Sequence, residues 1–146
     1  MMKSTAARKT ASFLTTALLV GGAMAAGTGT ASAAPSITWG TVVFTESGDR
    51  TISIYADGVF AGSGEWQKDP SGSNTGDTLV AWDPVADGYG IEAHLSTGRI
   101  ATTRGHNSPY EVKVSGNLPE GNKYTMWVCL VRGDYRGCTS KYSVTA

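Results

Sequence analysis

Apolar and β-branched residues alternate with polar ones in short stretches from residue 36 to the C-terminus, and no window sustains the helical period of about 3.6 residues. Strands are therefore predicted at Ser36 to Thr45, Thr51 to Ala56, Val59 to Gln67, Thr78 to Trp82, Tyr89 to Ser96, Arg99 to Thr103, Tyr110 to Ser115, Lys123 to Arg132 and Tyr135 to Thr145. Explicit turn signals separate them, among them Ser47-Gly48-Asp49, Asp57-Gly58, Asp87-Gly88, Thr97-Gly98 and Leu118-Pro119-Glu120-Gly121. Many short strands at even spacing predict an all-β fold, an antiparallel β-sandwich of about seven to nine strands. The longest stretch without apolar residues, Asp69 to Asp77, reads as an exposed loop. It begins like a calcium loop, but Asn74 stands where the sixth-place glycine belongs and Val80 where the bidentate Glu belongs, so no metal site is expected.

The first third is composed differently. A basic start (Lys3, Arg8, Lys9), an apolar stretch from Ala11 to Ala26 and the small residues Ala31-Ser32-Ala33 form a secretory signal peptide, residues 1–33. Cleavage after Ala33 is preferred because the next bond along is to Pro35, which lacks an N–H. The expected product is one secreted, extracellular domain, residues 34–146, with no membrane span. Removal of the signal takes three basic residues with it, so nine basic face twelve acidic and the formal charge becomes −3. That balance argues against a nucleic-acid surface.

Two cysteines in a secreted chain are expected to be bridged. Cys129 and Cys138 are symmetric about Gly133-Asp134, and Gly first in a two-residue loop suits a type II′ hairpin. Counting outward pairs Arg132 with Tyr135 and ends with Cys129 opposite Cys138, at a non-hydrogen-bonded position where Cα atoms are closest. The same count puts Trp127, Cys129, Cys138 and Tyr142 on one side of the hairpin and Tyr124, Met126, Val128 and Leu130 on the other. Both sides are apolar. Either Trp127 lies in a core against the bridge, or Trp127 and Tyr142 form an exposed aromatic patch beside it.

From Asp77 onward the order of features resembles a fibronectin type III or immunoglobulin-like module. Asp77 to Pro84 is similar to that fold's second strand, Gly90 to Ser96 with Arg99 to Thr103 to its next hairpin, and Leu118-Pro119-Glu120-Gly121 with Tyr124 and Val128 to the approach to the tyrosine corner. Ile37 to Gln67 holds more strand than the single first strand that module would still need. The whole chain also resembles small secreted actinomycete proteins of unassigned function, through Ala86-Asp87-Gly88-Tyr89-Gly90, Arg104-Gly105-His106-Asn107-Ser108-Pro109 and Trp127-Val128-Cys129-Leu130-Val131. That resemblance implies secretion and fold, and no mechanism.

Candidate chemistry is sparse. His94 falls mid-strand, His106 lies in a loop with Asn107 and Ser108, and no Gly-x-Ser-x-Gly elbow is present. The expectation is a non-enzymatic protein without cofactor, monomeric, acting as a binding or interaction module at the cell envelope or in the medium. Trp127, Tyr142 and Trp66, with Trp39, are the candidate stacking residues for wall or extracellular polysaccharide. The alternative is a secreted protease inhibitor that presents a rigid loop, either the disulfide-braced hairpin tip or Thr103 to Tyr110. Arg132-Gly133-Asp134 spells an adhesive tripeptide on that tip, but the II′ turn already accounts for Gly-Asp.

Overall fold

The computed structural model describes residues 33–44 and 46–146, so the expected signal segment lies outside the described residues except for Ala33. Among the described residues there is no helix long and apolar enough to cross a membrane. Twelve strands follow in order: β1 (Ile37–Val43), β2 (Arg50–Ala56), β3 (Val59–Gln67), β4 (Pro70–Ser71), β5 (Asn74–Thr75), β6 (Thr78–Asp83), β7 (Gly90–Leu95), β8 (Ile100–Thr102), β9 (Tyr110–Val114), β10 (Lys123–Arg132), β11 (Tyr135–Cys138) and β12 (Tyr142–Thr145). The number exceeds the expected seven to nine for two reasons. β4 and β5 are a two-residue hairpin within the polar loop, and β11 and β12 are one predicted strand interrupted at Thr139 to Lys141.

All pairings are antiparallel. One sheet has the order β1-β2-β3-β6-β9; the other has β11-β10-β7-β8, with β12 also on β10. Alternation sends Ile52, Ile54, Trp66, Leu79 and Ala81 of the first sheet against Ile91, Ala93, Leu95, Met126, Val128 and Leu130 of the second, and all of them are buried in one cluster. β1 and β2 are the surplus strand noted in the sequence. They widen the first sheet beyond β3, so that Trp39, Val42, Val43 and Phe44 are exposed.

Local chemistry fixes the hairpins. Asp57 and Gly58 both have positive φ, 50° and 80°, as a type I′ turn between β2 and β3 requires. Gly133 has φ 52° and Asp134 does not share the left-handed region, which is the II′ pattern, and the register brings Cys129 opposite Cys138 in a disulfide with a Cα separation of 4.0 Å. Beyond the bridge the register changes. Thr139 N donates to Val128 O (2.9 Å) and Val128 N to Thr139 Oγ1 (3.2 Å), and β12 then pairs Met126 with Tyr142, one residue out of step with β11. A one-residue slip reverses the side-chain face. Tyr142 therefore lies on the Met126 side and not, as the hairpin count predicted, beside Trp127.

β3 packs tightly against both its neighbour β6 and the facing sheet. A Cβ at Gly62 would lie 2.5 Å from the Trp82 carbonyl oxygen and 2.6 Å from Ile91 Cγ1, and one at Gly64 would lie 2.5 Å from Val128 Cγ2. The Trp82 contact is to backbone and has no rotamer by which to escape. Gly62→Ala is expected to lower the unfolding free energy by about 1–3 kcal/mol in urea titration, with Gly58→Asn, at an open turn position, close to wild type.

Candidate functional site

The outer face of the first sheet carries an aromatic row. Tyr55 and Phe60 pair across the β2–β3 hairpin with ring centroids 5.7 Å apart, and Phe60 lies 5.9 Å from Trp82 on β6. The Asp57-Gly58 turn sets the Tyr55–Phe60 pair, and Ala61, inserted where the register shifts at Ile54/Tyr55, puts Phe60 on the same face as Ser63 and Trp82. Trp82 is 41 % exposed and Val59, at the hairpin, 67 %. Around the row lie Ser53, Ser63 and Glu111, in register with Trp82 across three strands, then Glu65 and Lys113. Lys113 Nζ is 3.2 Å from Glu111 Oε1, so this face carries paired rather than single-sign charge beside its rings. Rings of this kind, open on one side and set among small hydroxylated residues, stack on apolar faces of flat ligands.

The outer face of the second sheet is closed instead. Glu92 and His94 of β7 point away from the core yet are 5 % and 6 % exposed. Arg136 Nη2 donates to Glu92 Oε2 (2.8 Å), Arg104 Nε to Oε1 (3.2 Å), and His94 Nε2 lies 3.1 Å from Oε2. The Trp127 ring stacks on the His94 ring at 5.1 Å, and Lys141 Nζ sits 4.7 Å from the Trp127 centroid. Burial lowers the His94 pKa and the Glu92 carboxylate acts against it, which leaves a neutral imidazole at neutral pH. Every Glu92 oxygen is committed to a partner. The cluster is a brace across β7, β11 and the loop after β8, and it is what covers the second apolar side of β10.

The expected stacking residues therefore separate. Trp127 is neither in the sandwich core nor an open platform, since His94 and Lys141 cover its ring. Tyr142 faces the other way, its hydroxyl accepting from Trp39 Nε1 (2.9 Å) and its ring 5.2 Å from the Arg50 guanidinium. Trp66 is fully buried, with Nε1 donating to Thr145 O (2.9 Å), and offers no surface. Trp82 was missed as a platform because Val80 and Trp82 on one face look no less apolar than Leu79 and Ala81 on the other. For Trp66 a signal existed: Ser63, Glu65 and Gln67 place the polar side of β3 opposite to it.

At one end of the sandwich the loops after β6 and β8 and the β10–β11 turn enclose a cleft of about 420 Å³. Tyr89, Arg104, His106, Ser108 and Arg132 are among its lining residues. His106 is stacked on Tyr110 with centroids 3.9 Å apart, and among the described residues its ring makes no hydrogen bond to a carboxylate. No group of three or more His, Cys, Asp or Glu side chains among the described residues is placed to hold a metal ion. The 69–77 loop spends its acid elsewhere: Asp77 is buried and its Oδ2 accepts from Leu118 N (2.7 Å). Comparison with known protein families finds no matching family, and none of the curated proteins compared with the chain matches it.

Asp83, at the end of β6, is 1 % exposed; Val85 N donates to its Oδ1 (3.2 Å), while the Ser108 and Thr103 hydroxyls lie near the carboxyl without completing a well-formed bond to Oδ2. Burial raises its pKa above 3.8, against the opposing influence of the Ser108 hydroxyl and the Val85 amide. With the folded pKa above the unfolded one, its contribution to stability is full below pH 3.8 and is lost as pH rises through the folded value. Asp83→Asn is expected to be more stable than wild type at pH 7, because the amide oxygen keeps the Val85 bond while the buried negative charge is removed. Thermal melts from pH 7 downward should show that advantage shrinking as the wild-type carboxyl protonates.

Proposed function

We propose that this is a secreted, non-enzymatic binding module of the fibronectin type III or immunoglobulin-like kind, whose ligand is an extracellular or cell-wall polysaccharide held on the outer face of the first sheet. The observation that carries the reading is the Tyr55–Phe60–Trp82 row on an open sheet face. Sugar rings present apolar C–H faces bordered by hydroxyls. Aromatic rings meet the first, and Ser53, Ser63, Glu65 and Glu111 supply partners for the second.

The fold-family part of the reading is supported by the strand order. β3, β6 and β9 face β11/β12, β10, β7 and β8, a three-plus-four arrangement to which β1 and β2 are added at the edge. Secretion is supported by the basic-apolar-small pattern of residues 1–33 and by the Cys129–Cys138 disulfide, since such bridges persist in oxidising compartments. The protease-inhibitor alternative calls for an ordered loop that protrudes. The hairpin tip, Arg132 to Asp134, is exposed, and the loop from Thr103 to Tyr110, exposed from Arg104 to Asn107, is ordered by His106 N donating to Thr103 O (3.1 Å) and by the His106 ring on Tyr110, so both loops keep this second reading.

Sedimentation of the purified protein with insoluble peptidoglycan, chitin and cellulose tests this. The wild type is expected to be depleted from the supernatant by at least one of them, Trp82→Ala to lose most of that depletion, and Lys141→Ala, on the opposite sheet, to keep it. Equal depletion of wild type and Trp82→Ala, or none by any polymer, refutes the assignment to this face.

A further inference from the structure

The loop-end cleft carries a different kind of chemistry from the aromatic face. Arg104, Arg132 and His106 line it, and no carboxylate among the described residues does. Arg104 is spoken for by Glu92 and by the Gly133 carbonyl, to which its Nη1 donates (2.8 Å). Arg132 is not. Its guanidinium lies 4.2 Å from the Tyr89 centroid, and among the described residues it has no hydrogen bond or ion pair. Contact with the Tyr89 ring seats the guanidinium at the cleft wall, and its N–H donors are uncommitted among the described residues. An uncommitted guanidinium can take a carboxylate in a two-pronged fork.

The mounting is rigid. Tyr89 packs edge-on against Tyr135 (6.0 Å) and its amide donates to Asp87 Oδ1 (2.9 Å). The carbonyl of Gly133, next to Arg132, is held through Arg104 to the buried Glu92, whose side chain is 7 % exposed. The opposite wall is anchored too, because Thr103 Oγ1 accepts from Ile91 N (2.8 Å). Little conformational freedom is left to be lost on binding.

We propose that this cleft is a binding site for a carboxylate-bearing sugar unit, with Arg132 as the anion fork and Asn107 and Ser108 as partners for ring hydroxyls. The fork follows from the cleft itself; the choice of a sugar to carry the carboxylate rests on the glycan reading of the aromatic face. A volume of about 420 Å³ suits one or two small rings rather than a polymer strand, and lies within the usual range of small-ligand sites.

The test is a titration of the ¹⁵N-labelled protein with galacturonic acid oligomers, with neutral cello-oligomers of the same length, and with a glutamate peptide. Expected are amide shifts at Tyr89, Gly105 and Gly133 with the acidic oligomer only, affinity weakened roughly tenfold or more in Arg132→Gln, an intermediate loss in Arg132→Lys, and no change in Trp82→Ala. Matching thermal melts of the Arg132 variants establish that they fold. No shifts in the cleft, or the same affinity in Arg132→Gln, overturns the site. Glutamate peptide bound as tightly as the sugar acid, with the same dependence on Arg132, overturns its assignment to sugars. Loss of polysaccharide sedimentation in Trp82→Ala, read separately, reports on the aromatic face alone, so the two readings fail independently.

Discussion

The two sheets pack together across a stretch of β3 where two inward positions carry no side chain. Gly62 and Gly64 leave the room that Ile91 and Val128 occupy, and the Trp82 carbonyl lies where a Gly62 Cβ would be. Interiors are packed to near-crystalline density, so a single methyl group there must push Ile91 or Val128 aside and, at Gly62, part β3 from the β6 backbone beside it. With β3 drawn in, its next inward position, Trp66, can reach across to the carbonyl of Thr145 on β12 and fill the end of the core. The same closeness orients β6, whose alternate residues Leu79, Ala81 and Asp83 are buried and whose Trp82 is sent to the solvent face.

Most of the fold could be read in the sequence because strand and turn signals are local. Val59–Gln67 and Lys123–Arg132 have the bounds the alternation predicts, and the count from Gly133-Asp134 gives the register that joins Cys129 to Cys138. Side-chain facing was less legible, because it depends on residues that interrupt the count. Tyr142 changed sides through one extra residue between Cys138 and β12, a change that no pattern in Thr139-Ser140-Lys141 announces. Tyr55 meets Phe60 by the count from Asp57-Gly58, but it is the inserted Ala61 that puts Phe60 on the face of Ser63 and Trp82, and nothing in the pattern announces it. The aromatic row thus escaped a reading that could name each of its members as a strand residue.

Charge does for the second sheet what apolar side chains do between the sheets. An outward-facing carboxylate such as Glu92 would ordinarily be solvated. Here the Arg104 and Arg136 guanidinium groups and the His94 ring meet both of its oxygens. Burying one member of such a set is tolerable only with the others in place, because removal of a partner leaves an uncompensated charge. The brace consequently links three elements that share no backbone pairing as a group: β7, the β8–β9 loop and β11. Trp127 and Lys141 complete the cover, and this explains how a strand as apolar as β10 can be central without a third layer above it.

The aromatic face and the cleft are tied together by the segment that crosses between the sheets. Trp82 ends the exposed row, Asp83 turns inward beneath Ser108, and Tyr89 emerges as the seat of Arg132, all within one strand end and one loop. The two surfaces nevertheless depend on different restraints. Trp82 is positioned by its pairing with Ser63 and Glu111 on either side, whereas Tyr89 and Arg132 are positioned by Asp87, Tyr135 and the Glu92 brace. Changes confined to the loop after β6 act on the cleft and leave the ladder under Trp82 intact, while changes in the β3 glycines act on both, because both sheets are then displaced.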